Sequence, residues 1–228
     1  MKKQYNDAQS KFFEAARDGK ELDMSRHPAK EFLPKFRSYA EKHSGTPEAV
    51  PALVWMLENT PRAGGNEKAT KWAIERLSKD HAADGAITDA LQNMRYMAYS
   101  VDPDLLVAFY QRVIDTNKDK EAQAFATFNL AFTFYERSSQ GGGILQALTG
   151  KGDSKKDKAK AEKLFRKVVK DYEDTKAAKL ADRFIFEMDH LQIGMKAPDI
   201  VGKDVEGKEI KLSQFEGRVV VIDFWGYW

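Results

Sequence analysis

The sequence contains no cysteine among its 228 residues. Disulfide bonds, thiolate metal sites and cysteine nucleophiles are therefore absent from the chain as given. An excess of charge of one sign is lacking too, because 37 Lys and Arg residues oppose 35 Asp and Glu residues, for a formal net charge of +2. So small an excess gives no reason to expect nucleic acid or an anionic membrane as the main partner.

Long apolar runs are also missing. No window approaches the roughly 20 apolar residues that a helix needs to span a bilayer, so we expect no membrane span. Polar residues follow the two lysines after Met1, where a signal peptide would need an apolar stretch. The sequence therefore predicts either a cytoplasmic protein or one whose natural N-terminus has been removed or replaced.

What the sequence does contain is typical of a globular protein, with 42% hydrophobic and 32% charged residues. Up to about residue 192 the apolar residues recur at spacings of three and four, which indicates amphipathic helices. Proline, glycine and aspartate in the connecting stretches are typical of turns. We predict helices over 4–18, from Pro28 to about 44, from 46 to about 60, and over 66–82, 86–99, 103–116, 119–138, 156–172 and 175–191.

The last of these helices carry a more specific pattern. Small residues at Ala131 and Ala161 would let two helices approach closely, and Phe134 and Phe165 would fill the groove between them. This arrangement resembles a tetratricopeptide-type helical hairpin, interrupted by an insertion at about 139–155. An irregular α-helical bundle is the alternative, because no repeat of fixed period is visible.

Composition changes at Leu191, where glycines and short β-type runs replace the helical pattern. "VEGKEIKL" predicts a small hairpin that turns at residues 206–208. We therefore predict a mainly α chain with two domains, an α-helical domain over 1–191 and the truncated start of an α/β domain over 192–228. Residues 191–197 form the predicted linker.

The run Val219–Trp225 does not alternate between apolar and polar residues, so both faces of a strand here would need burial. That is typical of a central strand in a parallel or mixed sheet covered by helices. Each large apolar side chain left in water forgoes about 1.5–3 kcal/mol. Six of them match the whole net stability of a small domain, roughly 5–15 kcal/mol. We expect a domain that is cut short here, or whose other half comes from another chain.

About 35 of the 228 residues resemble the opening of a thioredoxin-like redoxin domain of the bacterial TlpA/ResA-like thiol-disulfide oxidoreductase type. The resemblance rests on four motifs in a fixed order: Gly194-x-x-Ala197-Pro198-Asp199, Asp204-x-x-Gly207-Lys208, Leu212-Ser213-x-Phe215-x-Gly217, and an apolar strand that ends Phe224-Trp225-x-x-Trp228. In that family the next residue is the nucleophilic cysteine of a Cys-x-x-Cys motif. The resemblance thus implies that this cysteine follows immediately after Trp228.

The resemblance also implies a mechanism, in which a thiolate at a helix N-terminus attacks a substrate disulfide and the second cysteine resolves the mixed disulfide. Asp223, Phe224, Trp225 and Trp228 would lie beside that active site, with Asp223 as a proton acceptor near the end of the strand. Packing and strand termination are the alternative roles for these residues. The chain as given has no cysteine and should be inactive.

The partners implied for the intact parent are protein thiols and disulfides, and its implied location is the cell envelope. We expect no cofactor and no metal. His81, near Asp80 and Asp84, is interpreted as the solvated end of a helix rather than as a metal ligand. A peroxiredoxin-type parent is an alternative, because that domain opens similarly, but the Trp-x-x-Trp ending favours the thiol-disulfide type.

A rival hypothesis is a non-enzymatic helical module that binds a peptide or protein partner. A pull-down with residues 1–191 distinguishes the two, since a stable, specific client without any redox domain would favour the module.

Overall fold

A computed structural model describes residues 1–17, 22–138 and 154–226, with the backbone alone at 15–17 and 154. The chain divides into two compact units, Met1–Ile185 and Phe186–Trp228. Most of the described residues are helical and the strands are few and short, so the predicted mainly α fold class is confirmed.

The α-helices have the following bounds: α1 Lys2–Arg17, α2 Ala29–Lys42, α3 Ala49–Asn59, α4 Glu67–Arg76, α5 Ile87–Leu91, α6 Pro103–Thr116, α7 Lys120–Ser138, α8 Ser154–Asp171 and α9 Lys176–His190. Short 3₁₀ turns cover Met24–Arg26, Met94–Tyr99 and Leu212–Phe215, and a π-helical turn covers Leu77–His81. The prediction of helix 103–116 matches α6 residue for residue. Its start is well defined, because Asp102 accepts a hydrogen bond from the Asp104 amide at 2.9 Å and proline occupies the first helical position.

Two predicted helices are interrupted in the structure. The helix predicted over 66–82 ends as α4 and continues as the π-helical turn, and that predicted over 86–99 splits into α5 and a 3₁₀ turn. Side chains from other helices explain the second break. Asn129 donates to the Leu91 carbonyl at 2.8 Å and Tyr110 donates to the Met94 carbonyl at 3.1 Å. These contacts occupy acceptors that a continuous α-helix would use itself.

The core of the first unit is built around α7, whose residues from Ala124 to Phe134 are all buried. α7 packs against α6 and α8. The predicted small residues, Ala131 and Ala161, are both fully buried. Of the predicted insertion 139–155, residues 139–153 lie outside the described residues. The tetratricopeptide interpretation therefore stays a prediction.

The second unit contains an antiparallel hairpin of β1 Val201–Lys203 and β2 Glu209–Lys211, in the register Val201↔Lys211. In its turn, one Asp204 carboxylate oxygen accepts from the amides of Glu206 and Lys208, both at 2.9 Å. Gly207 has φ +82°, which favours glycine. The predicted hairpin is thus confirmed. Its turn depends on Asp204 and Gly207, which belong to the same sequence motif.

Candidate functional site

The predicted site residues Asp223, Phe224 and Trp225 lie in the segment 218–226, which follows the 3₁₀ turn of the second unit. Trp228 lies outside the described residues. The predicted strand over 219–225 does not form, because the sheet of the described residues contains only β1 and β2. No backbone hydrogen bond joins residues 219–224 to another described residue. A central strand is defined by its neighbours, and the described residues contain none for this segment.

Over residues 219–222 exposure nevertheless alternates as it would in a strand. Val219 and Val221 are 98% and 90% exposed, whereas Val220 and Ile222 are 43% and 46% exposed. Val220 and Ile222 line a cavity of about 470 Å³ within the second unit, together with Phe215. One face therefore lies against the unit's own side chains, and the other face is open.

Asp199 and Ser213 join two of the sequence motifs. One Asp199 carboxylate oxygen accepts from the Ser213 amide at 2.8 Å, and the other accepts from the Ser213 hydroxyl at 2.9 Å. Beside them, the Leu212 amide donates to the Ile200 carbonyl at 3.0 Å. The motifs that resemble a redoxin opening therefore position the start of the 3₁₀ turn, and through it the segment that follows.

The hydrogen bonds from Ser213, first from its amide and then from its hydroxyl, hold the pKa of the Asp199 carboxyl below its ordinary value. A carboxyl whose pKa is lowered by folding contributes stability above its unfolded pKa, near 3.9, and loses it as the pH falls through the folded value. We therefore expect the Ser213 amide resonance to change in an NMR titration below about pH 4.

Two variants control this titration. Ser213→Ala should move its midpoint to higher pH, because one of the bonds to the carboxylate is lost, while Asp199→Asn should abolish it. An unchanged midpoint in Ser213→Ala would contradict the hydrogen bonds as the cause.

Asp223, the predicted proton acceptor, is exposed in this structure and makes no hydrogen bond to another described residue. Phe224 and Trp225 are 83% and 72% exposed. These three residues are neighbours in the sequence, and the described part of the structure gives them no enclosing site. Their role beside an active site stays a prediction.

Sequence reasoning was wrong about His81, which we interpreted as lying at a solvated helix end. His81 is 1% exposed, because the π-helical turn that carries it packs against α4, α6 and α3. Among the described residues, no group of three or more His, Cys, Asp or Glu side chains is placed to hold a metal ion. Within the same described ranges, none of the helices combines the length and apolar character needed to cross a membrane.

Comparison with known proteins finds relatives for one stretch of the chain. It is 42% identical over 45 residues to the thiol-disulfide oxidoreductase ResA of Bacillus anthracis. These 45 residues are 20% of this chain and 26% of that protein. ResA of Bacillus cereus (strain ATCC 10987 / NRS 248) is 47% identical over 38 residues, 17% of this chain and 22% of that protein. ResA of Geobacillus thermodenitrificans is 40% identical over 45 residues, which are 20% of this chain and 26% of that protein.

The chain thus spans about a quarter of the length of the curated relatives it matches. A stretch of it is of redoxin-related origin, and the chain itself contains no cysteine. No family model matches the chain. No solved structure matches it either.

Proposed function

We propose that residues 192–228 are the opening of a thioredoxin-like domain and that the whole protein is a thiol-disulfide oxidoreductase. The helical residues 1–191 would form a separate domain that positions this domain or recognises its partner. The observation that carries the proposal is the stretch 40–47% identical to ResA thiol-disulfide oxidoreductases. Because the matched relatives are named thiol-disulfide oxidoreductases, the match also favours a thiol-disulfide parent over a peroxiredoxin-type parent.

The open face of the segment 218–226 supports the same proposal. Val219 and Val221 expose nearly all of their side chains, although valine is among the residues most often buried. The backbone groups of residues 219–224 make no hydrogen bond to another described residue's backbone, and such groups are those that a strand uses to join neighbouring strands. The rest of a thioredoxin-like domain would supply neighbouring strands for the backbone groups and a helix to cover the open face.

The mechanism proposed for the whole protein needs a cysteine pair directly after Trp228. Its first thiolate would attack a disulfide of a substrate protein and form a mixed disulfide, while the leaving sulfur departs as a thiolate. The second cysteine would then attack the mixed disulfide, which releases the reduced substrate and leaves the pair oxidised. Trp225 and Trp228 would shape the entrance to this site, and Asp223 would accept the proton of the second thiol.

The helical unit offers a surface that fits partner recognition. A groove of about 690 Å³ is lined by aromatic and polar side chains, among them Tyr96, Arg62 and Asn93. Tyr96 is 58% exposed there, with the Arg95 guanidinium over its ring at 4.7 Å. A peptide segment of a substrate protein is the occupant we propose for this groove.

The enzymatic proposal is tested by producing the protein with the residues that follow Trp228 in its gene. We expect this longer protein to reduce the disulfides of insulin with a dithiol reductant, while the 228-residue chain shows only the background rate because it has no thiol. A variant of the longer protein with its first cysteine replaced by serine is the matched control. Equal rates for the longer protein and that variant would refute the proposal.

A further inference from the structure

A small pocket in the helical unit has no part in the proposed redox chemistry. Its volume is about 190 Å³, and it lies between the end of α2, the start of α3 and the π-helical turn after α4. The polar side chains that matter to its chemistry are Glu41, Arg76, Asp80 and His81. A cavity of about 150 Å³ holds benzene, so this pocket has room for a ligand of about that size.

His81 lines this pocket, and neither of its ring nitrogens makes a hydrogen bond to a described residue. Nδ1 is fully buried and lies 3.5 Å from Oδ2 of Asp84, whose other oxygen accepts from the Ala86 amide at 3.0 Å. Nε2 is not fully buried, so it is the ring nitrogen that a ligand can contact. The π-helical turn that places this ring is a geometry often found at functional sites.

One charged pair lines the same pocket. Asp80 lies 3.4 Å from Nη1 of Arg76, and their side chains are 16% and 42% exposed. Glu41 also lines the pocket, whereas its partner Arg37, at 3.0 Å, does not. A ligand with a single charge would draw one member from a pair and leave the other unpaired in a partly buried place, which costs free energy. A ligand that carries both charges can contact both members at once.

We propose that this pocket binds a small zwitterion, specifically a free α-amino acid with a short side chain. The ammonium group would donate to Nε2 of His81 and to the Asp80 carboxylate, and the carboxylate would accept from the Arg76 guanidinium. Charge-assisted hydrogen bonds would then form at both ends of the ligand. The ligand is neutral overall, so the net charge of the pocket does not change on binding.

Equilibrium dialysis of the 228-residue chain with radiolabelled glycine, alanine and serine tests the proposal. We expect saturable binding of one ligand per chain with a dissociation constant below about 10 mM. Neither unlabelled ethylamine nor unlabelled acetate, each with one of the two charges, should displace it at equal concentration. Tryptophan should not displace it because it is too large for the pocket.

Variants locate the site. His81→Gln and Arg76→Gln should each weaken binding at least about tenfold, and His190→Gln, which changes an exposed histidine outside the pocket, should leave it unchanged. His81 is buried, so the fold of His81→Gln is checked by circular dichroism, and Arg76→Gln keeps the test decisive if His81→Gln unfolds. The proposal is overturned if no labelled amino acid binds, if Arg76→Gln binds as well as the unchanged chain, or if ethylamine displaces glycine fully.

Discussion

Phe165→Ala should destabilise the helical unit by about 3–5 kcal/mol, the usual cost of removing a buried phenylalanine. Phe165 is fully buried, and its ring stacks on that of Phe184 with centroids 4.9 Å apart. The rings of Phe128 and Tyr135 lie 5.6 and 6.3 Å away. These side chains come from α7, α8 and α9, so the loss of one ring leaves a cavity where three helices meet.

Urea unfolding followed by circular dichroism at 222 nm measures this loss. Phe186→Ala is the matched control, since Phe186 is 49% exposed and its removal creates no comparable cavity. We expect the control to change the free energy of unfolding by less than about 1 kcal/mol. Similar effects of the two substitutions would contradict the assignment of Phe165 to the core of the helical unit.

The second large effect is expected in the segment 218–226. The 228-residue chain should self-associate through this segment, because the exposed apolar side chains of Val219 and Val221 lie next to backbone groups at 219–224 that are open to pairing with a second chain. Val219→Lys combined with Val221→Lys places two charges on the open face. We expect this double variant to weaken association at least about a hundredfold, which analytical ultracentrifugation measures as a shift from oligomer to monomer.

Val205→Lys is the control for this double variant. Val205 is as exposed as Val219, but it lies in the hairpin turn rather than on the extended segment. Its substitution should leave association unchanged. A chain that stays monomeric at about 100 µM without any substitution would show that the open face does not drive association.

Local sequence signals predicted the parts of the fold that local physics determines. The 3.6-residue periodicity and the Asp102–Pro103 start were enough for α6, and Gly207 with Asp204 was enough for the hairpin turn. The break between α5 and the following 3₁₀ turn was not predictable, because hydrogen bonds from Tyr110 and Asn129 of distant helices cause it. Periodicity carries no information about such contacts.

The candidate site likewise has one contact that could be inferred from the sequence and other features that could not. The Asp199–Ser213 contact could have been inferred, since both residues belong to motifs that sequence reasoning identified. The strand over 219–225 could not form from its own residues, because a strand requires neighbours to pair with. The burial of His81 was missed because its turn packs against α3 and α6, which lie more than 20 residues away in the sequence.

Reading the gene beyond the codon for Trp228 tests most directly whether 192–228 begins a thioredoxin-like domain. Cys-x-x-Cys should start at the next position, followed by sequence for the remaining strands and helices of such a domain. A stop codon at that position, or a continuation without a cysteine pair, would contradict the redox function proposed for the whole protein.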